Sequence, residues 1–144
     1  MRELVLFAPV VIALGLTLGF LHPHPNALRP SMVLTWVYIF IFIAVPEELF
    51  FRVWVQNLLE NRLRPWLSSR ANADRMARIW ALLITSILFG LSHFNKHSTH
   101  FNWRYVILAA IAEIFYGRAW RQDRRVPASA ITHAGVDAIW SLWF

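Results

Sequence analysis

The chain has 144 residues, enough for one domain, and apolar residues dominate its composition. Hydrophobic residues make up 58% of the chain and charged residues only 15%. This composition excludes a disordered chain, and it argues against a soluble globule because a small domain has too little interior to bury so much apolar surface. The sequence contains no cysteine, which excludes disulfides, thiolate metal sites and cysteine nucleophiles.

Five apolar segments follow one another along the chain, and each predicts a helix that crosses the membrane. The second segment predicts one long helix with a kink at Pro46, because proline cannot donate the backbone hydrogen bond of a helix interior. We therefore predict an all-α fold, a polytopic transmembrane helical bundle of about five spanning helices in a single domain over residues 1–144. In chain order the segments are Leu4–Leu21, Ser31–Pro65, Ile79–Ser92, Trp103–Trp120 and Val126–Phe144, separated by polar stretches at His22–Asn26, Ser68–Arg78, Asn95–Asn102 and Arg121–Arg125.

The basic residues explain the formal net charge of +6 by their position along the chain. With the N-terminus in the cytoplasm, ten of the fourteen Lys and Arg residues fall on the cytoplasmic side and three on the other, while Arg52 lies inside the membrane. This asymmetry follows the positive-inside rule, so we expect no nucleic-acid partner. We expect an integral, multi-pass protein of a prokaryotic plasma membrane, surrounded by lipid, with a cytoplasmic N-terminus.

Two glutamates and an arginine lie within the second segment, at Glu47, Glu48 and Arg52. Ionisable side chains in a membrane span cost about 2.5–3.5 kcal/mol each on insertion scales, so each needs a partner or a function. At helical spacing Glu48 and Arg52 can form an ion pair, whereas Glu47 points about 100° away. Glu47 is then free to act as a general base. A structural ion pair, with Glu47 facing the cytoplasmic water, explains the cluster equally well.

Two further segments carry ionisable side chains of their own. His93 ends the third segment, and His133 and Asp137 lie one helical turn apart on the fifth. Taken alone, each is more often an interfacial side chain or a local hydrogen bond than a catalyst. Polar groups on three spans must, however, face one another or a wet cavity rather than lipid. We therefore predict one candidate site, formed by Glu47, Glu48, His93, His133 and Asp137.

Three short motifs in these segments resemble those of a known protease family. Glu47–Arg52 fits E-E-x-x-x-R, Phe89–His93 fits F-x-x-x-H and His133–Asp137 fits H-x-x-x-N/D, in that order. In these motifs the chain is similar to the CPBP intramembrane proteases, the family of the CAAX prenyl endopeptidase that trims prenylated proteins. The resemblance covers roughly residues 45–140, which it marks as the protease core.

The resemblance implies an intramembrane endopeptidase that opens to the cytoplasmic side. Its substrate would be a peptide or protein, and a prenylated CAAX-type protein would fit. The resemblance further implies that Glu47 activates the attacking water with help from His93. His133 and Asp137 would stabilise the oxyanion that forms on the substrate carbonyl.

The same resemblance gives Glu48 and Arg52 the task of holding the motif helix in place. At Asp137 the chain departs from the asparagine that the last motif often carries. An ionised aspartate accepts hydrogen bonds but cannot donate them. Asp137 would therefore be protonated, orient His133 or bind a metal, and the sequence leaves these three roles open.

The sequence also leaves open whether a metal cofactor takes part, because the family that the chain resembles is often labelled metalloprotease. A divalent ion such as zinc could be held with one position open for water. The chain contains no H-E-x-x-H motif, since Phe94 follows His93 where that motif requires glutamate. The alternative is a glutamate-driven mechanism without a cofactor. The candidate metal ligands are Glu47, His93, His133 and Asp137.

Two functions other than proteolysis fit the same residues. A non-catalytic membrane protein on the same scaffold, such as a bacteriocin self-immunity or partner-binding factor, would use the polar cluster for structure. A small ion or metal transporter would use the six histidines and the carboxylates within the spans. Inverted repeats would favour transport, and the sequence shows none.

Overall fold

The computed structural model of the protein describes residues 2–19, 24, 26–27, 29–94 and 102–143. Over these residues the chain is helical and contains no strand. Five helices follow one another: α1 (Arg2–Thr17), α2 (Pro30–Trp66), α3 (Ala73–Ser92), α4 (Trp103–Asp123) and α5 (Val126–Trp143). The prediction of an all-α fold of about five helices is confirmed.

Several helix ends differ from the predicted segment ends. The helix α3 begins at Ala73 rather than Ile79, and α4 reaches Asp123 rather than Trp120. The apolar pattern marks the length of chain that suits hydrocarbon, whereas polar residues continue a helix into water. Asp74 in the first turn of α3 also suits the positive end of the helix dipole.

Two of the predicted polar stretches fall mostly outside the described residues. In the His22–Asn26 stretch the structure describes only His24 and Asn26, and in the Asn95–Asn102 stretch it describes only Asn102. Leu21, the predicted end of the first segment, also lies outside the described residues.

The helix α2 runs without a break through Pro46, where the sequence predicts a kink. Its irregularity takes the form of two π-helical stretches, Ile39–Ala44 and Leu49–Gln56, on either side of the proline. In the first stretch the amide of Val45 donates to the carbonyl of Phe40, five residues back. Wider turns of this kind accommodate the missing donor of proline and are frequent at functional sites. They place the glutamate pair on a short α-helical turn between two irregular ones.

The helix α4 lies at the centre of the bundle, against α1, α3 and α5. The contact with α3 is close at Gly90, where a Cβ atom would lie 2.6 Å from the carbonyl oxygen of Val106. Only a glycine permits this approach of the two backbones. The buried apolar core between the helices includes Phe7, Val11, Phe51, Phe89, Leu108, Tyr116 and Val136.

Among the described helices, α2 and α3 are long and apolar enough to cross a membrane by length and composition. The helix α2 exposes large apolar side chains along its length, such as Leu34, which is 74% exposed, and Trp54, which is 71% exposed. A water-soluble domain rarely presents such a continuous apolar surface, whereas lipid chains cover it without cost.

Candidate active site

The motif glutamates lie between the two π-helical stretches of α2, and the Glu48 side chain points into the bundle. Glu48 and Arg52 are fully buried, and Arg52 Nε donates a hydrogen bond to Glu48 Oε2 over 2.6 Å. Removing two charges from water is costly, and their attraction offsets that cost only when further hydrogen bonds complete the pair. The other nitrogens of Arg52 therefore need partners as well.

Glu113 on α4 is the second carboxylate that holds Arg52. Arg52 Nη2 donates to Glu113 Oε2, and Arg52 Nη1 donates to Gln56 Oε1 over 3.0 Å. Gly117 makes room for these contacts, because a Cβ atom there would lie 3.1 Å from both Arg52 Nη1 and Gln56 Oε1. These four fully buried side chains form what we call the buried ion network: Glu48, Arg52, Gln56 and Glu113.

His133 on α5 connects the buried ion network to the rest of the site. His133 Nδ1 lies 3.1 Å from Glu48 Oε1, the oxygen of Glu48 that Arg52 does not use. An ionised carboxylate can only accept, so the imidazole donates this hydrogen bond. The ring stacks on Tyr116, with centroids 4.6 Å apart and planes at 13°, and the Phe89 ring packs edge-on against it. These contacts fix the position of the imidazole.

Glu47 and Asp137 face the other nitrogen of the same ring. His133 Nε2 lies 3.8 Å from Glu47 Oε2 and 3.6 Å from Asp137 Oδ2. These distances are too long for direct hydrogen bonds, but they are short enough for strong electrostatic interaction in a site with little water. Carboxylates on both sides of His133 favour the imidazolium, which alone carries a proton on each ring nitrogen.

His93 lies at the C-terminal end of α3, one turn after Phe89. His93 Nδ1 is 2.9 Å from the carbonyl oxygen of Phe89, which can only accept, so Nδ1 carries a proton. In the neutral ring Nε2 is then left as an acceptor. The imidazole packs against the Phe89 ring, with centroids 4.5 Å apart, and edge-on against Tyr105.

A cavity of about 380 Å³ brings these side chains together. Glu47, His93, His133 and Asp137 border it, whereas Glu48 lies behind His133. The side chains of Glu47 and Asp137 are each 35% exposed. The structure therefore divides the five predicted site residues into four around the cavity and one that supports them. Most of the remaining wall is apolar or aromatic and includes Phe7, Val11, Ile39, Ile43, Leu108 and Trp140.

The cavity and the arginine-rich helix ends lie at opposite ends of the bundle. The helix α3 carries Arg78 near its beginning and leads to His93, whereas α4 begins near Tyr105 and carries Arg121 near its end. The helix α5 then returns towards Ser141, which lines the cavity together with His93 and Tyr105. The ends of α3, α4 and α5 that line the cavity therefore lie opposite to their arginine-rich ends.

The cavity wall does not present a set of metal ligands. Among the residues that the structure describes, no three His, Asp or Glu side chains are placed to hold one ion. The candidate set predicted from the sequence, Glu47, His93, His133 and Asp137, borders the cavity without such an arrangement.

Glu113, Gln56 and Tyr116 take part in the site without belonging to any of the three motifs. Glu113 gives a signal in the sequence, since an ionisable residue within an apolar segment requires a partner. Gln56 and Tyr116 give none, because polar and aromatic residues are common near membrane surfaces and in helix cores. Their contribution becomes visible only when α2, α4 and α5 are packed together.

Comparison with known proteins identifies the family of the chain. The model of the Rce1-like family, described as type II CAAX prenyl endopeptidase Rce1-like, matches residues 29–139. The match covers well over half of the chain and includes all three motifs. The chain belongs to the Rce1-like family, which is a family of membrane-embedded helical proteins and generally of proteases. Searches of curated proteins and of solved structures found no match.

Removal of Glu113 tests whether the buried ion network holds the bundle together. We expect Glu113→Ala to lower the free energy of unfolding by about 3–5 kcal/mol, because it leaves a buried guanidinium with one carboxylate instead of two. Glu60→Ala is the matched control, since Glu60 is equally buried but pairs with Arg124, which is 43% exposed and can turn to water. Its cost should be about 1 kcal/mol or less. Unfolding in detergent, followed by circular dichroism, measures both, and equal losses would contradict the role of Glu113.

Proposed function

We propose that this chain is an intramembrane endopeptidase in which Glu47 activates a water molecule to hydrolyse a peptide bond within or near the membrane. One observation carries the proposal: the carboxylate of Glu47 and the imidazoles of His93 and His133 border a single cavity. The support of His133 by the buried Glu48 adds to it, because catalytic groups need a fixed position. The protease character of the family supplies the reaction class.

In the proposed attack, a water molecule lies between Glu47 and His93. Glu47 takes one proton of the water while the water oxygen bonds to the carbonyl carbon of the scissile peptide. His93 Nε2 accepts a hydrogen bond from the second water hydrogen and orients the nucleophile. Glu47 then returns its proton to the leaving amine as the carbon–nitrogen bond breaks, so the side chain ends in its starting state.

His133 supplies the donor for the oxyanion in this proposal. A neutral ring that donates from Nδ1 to Glu48 has no proton on Nε2, so stabilisation of the oxyanion from Nε2 requires the imidazolium. Glu48 on one side of the ring and Asp137 on the other favour that charged state. We assign Asp137 to holding His133 charged and oriented, because a negatively charged acceptor beside the ring favours the imidazolium.

We propose a substrate with an apolar segment next to the scissile bond. The cavity wall is mostly apolar and aromatic, and its 380 Å³ accommodate a few side chains or part of a lipid tail. A prenylated CAAX-type peptide fits this description and corresponds to the substrate class in the family description.

We further propose that the chain crosses a prokaryotic plasma membrane several times, with its N-terminus and arginine-rich helix ends in the cytoplasm. The distribution of arginines supports this orientation through the positive-inside rule. The cavity then opens towards the opposite side. This departs from the cytoplasmic opening that the motif resemblance implies, and substrates would reach the site from outside the cytoplasm.

Glu47→Gln is expected to abolish peptide cleavage and leave the protein folded, because the amide keeps the size of the side chain but cannot take a proton. Wild type and variant are reconstituted in liposomes and offered a peptide library that includes farnesylated CAAX peptides, with products read by mass spectrometry. Glu60→Gln, far from the cavity on the arginine-rich end of α2, is the control and should cleave normally. Cleavage by Glu47→Gln would refute the proposal, and absence of cleavage by wild type on all peptides would favour a partner-binding role.

Asp137→Asn separates the two ways in which residue 137 can assist catalysis. Because Asp137 is assigned to holding His133 charged, Asp137→Asn should lower kcat by more than about tenfold, whereas kcat within about tenfold of wild type would show that an acceptor oxygen alone is sufficient. Asp137→Ala removes the partner and should lower kcat by about 10²-fold or more. The pair is compared in the same liposome assay with circular dichroism as the folding control. Equal inactivity of both variants would show that the negative charge itself is required.

Single cysteines determine the orientation, because the chain contains none of its own. Ser31 and Ser68 are exposed and lie at opposite ends of α2. In intact cells a membrane-impermeant maleimide should label Ser31→Cys and spare Ser68→Cys, and permeabilised cells should show both. The cysteine-free wild type is the control. The reverse pattern would place the cavity on the cytoplasmic side.

A further inference from the structure

A second cleft lies at the arginine-rich end of the bundle, away from the active-site cavity. It measures about 430 Å³ and is bordered by Arg2 of α1, Arg78 of α3, and Arg118, Arg121 and Arg124 of α4. Three helices that are distant in the sequence thus direct guanidinium groups towards one space. The proposed hydrolysis uses none of these residues.

Two buried carboxylates hold part of this cleft in a fixed geometry. Glu3 is 2% exposed, and it lies 3.2 Å from Arg118 Nε and accepts a hydrogen bond from Gln122 Nε2 over 2.9 Å. Glu60 is 1% exposed and accepts from Arg124 Nη2 over 2.8 Å. Two of the arginines are therefore held in place by ion pairs rather than extending freely into water.

The cleft keeps an excess of positive charge after these pairs are made. Among the side chains that the structure describes, no carboxylate oxygen lies within 4 Å of Arg78 or Arg121. Both arginines are only half-exposed, so water screens their charges less than at an open surface. Guanidinium groups that converge without a counter-charge form a favourable site for an anion with several oxygens.

We propose that this cleft binds the phosphate of an anionic phospholipid headgroup. The planar donor forks of Arg78 and Arg121 match phosphate oxygens in pairs. The source is a lipid because the same helices expose apolar side chains immediately beyond the arginines, at Val5 and Leu6 on α1 and at Ile79 and Trp80 on α3. A phospholipid can place its headgroup in the cleft and its acyl chains along these side chains. Basic pockets between spans bind anionic lipids in this way.

The test titrates delipidated wild type in detergent with phosphatidylglycerol and with phosphatidylcholine, and counts bound lipids by native mass spectrometry. Phosphatidylglycerol should bind at least tenfold more tightly than phosphatidylcholine. The double variant Arg78→Gln/Arg121→Gln should bind phosphatidylglycerol roughly 30-fold more weakly, because each of the two arginines contributes a factor of about five at a lipid surface. The single variant Arg121→Lys, which keeps the charge, should bind phosphatidylglycerol only a few-fold more weakly than wild type.

The matched control is Arg29→Gln/Arg104→Gln, which removes the same charge from exposed positions at the other end of the bundle. It should retain the wild-type affinity for phosphatidylglycerol, and circular dichroism verifies that both double variants are folded. Equal weakening by the two double variants would overturn the proposal, because general charge attraction would then explain the binding. Complete displacement of phosphatidylglycerol by millimolar inorganic phosphate would overturn the lipid assignment. Neither result depends on peptidase activity, so the lipid site and the proposed function are tested separately.

Discussion

The guanidinium of Arg52 joins α2 to α4 in the interior of the bundle, with Glu48 on its own helix and Glu113 on the other. A buried charge of this kind cannot be left without partners, so every arrangement of the two helices that separates Arg52 from Glu113 is strongly disfavoured. The position of α2 against α4 is therefore fixed by charge as well as by packing. Gly117 completes this fit by leaving space beside the guanidinium.

The ion pair of Arg52 with Glu113 also supports the candidate site, because a row of ionisable side chains extends from the interior to the cavity. Glu113, Arg52, Glu48, His133 and Asp137 follow one another in this order, each within reach of the next. Each group in such a row stabilises the charged state of its neighbours. In the proposed mechanism the imidazolium of His133 is therefore supported from behind the cavity by the buried ion network and, at the cavity wall, by Asp137.

Helical spacing and apolar length account for the parts of this structure that the sequence predicts. Glu48 and Arg52 are four residues apart, so any helix brings them together, and α2 and α3 are long and apolar enough to cross a membrane. The ion pair of Arg52 with Glu113 joins residues that are 61 positions apart, and no rule of local helix spacing predicts it. The cost of an ionisable residue in a span shows that Glu113 has a partner but does not identify it.

The remaining differences arise where a physical signal is absent or ambiguous along the chain. Pro46 marks an irregular point of α2, but the sequence does not show the two π-helical stretches on either side of it, because these depend on packing around α2. The side of the membrane on which the cavity lies depends on which helix ends meet around it. That information appears only when α3, α4 and α5 are seen to alternate in direction, with His93 and Arg121 at opposite ends.

The separation of Arg52 from Glu113 along the chain also has a consequence for biosynthesis. The helix α2 leaves the ribosome before α4 and carries Glu48 and Arg52 as a pair whose charges cancel, which lowers the cost of its entry into the bilayer. The helix α4 follows and carries the carboxylate of Glu113 within its apolar part. This carboxylate is costly to insert unless a cation is already present in the membrane. Arg52 then supplies the counter-charge that stabilises α4 in the membrane. From the order of synthesis and the position of this one arginine, we expect the earlier arrival of α2 to favour insertion of α4.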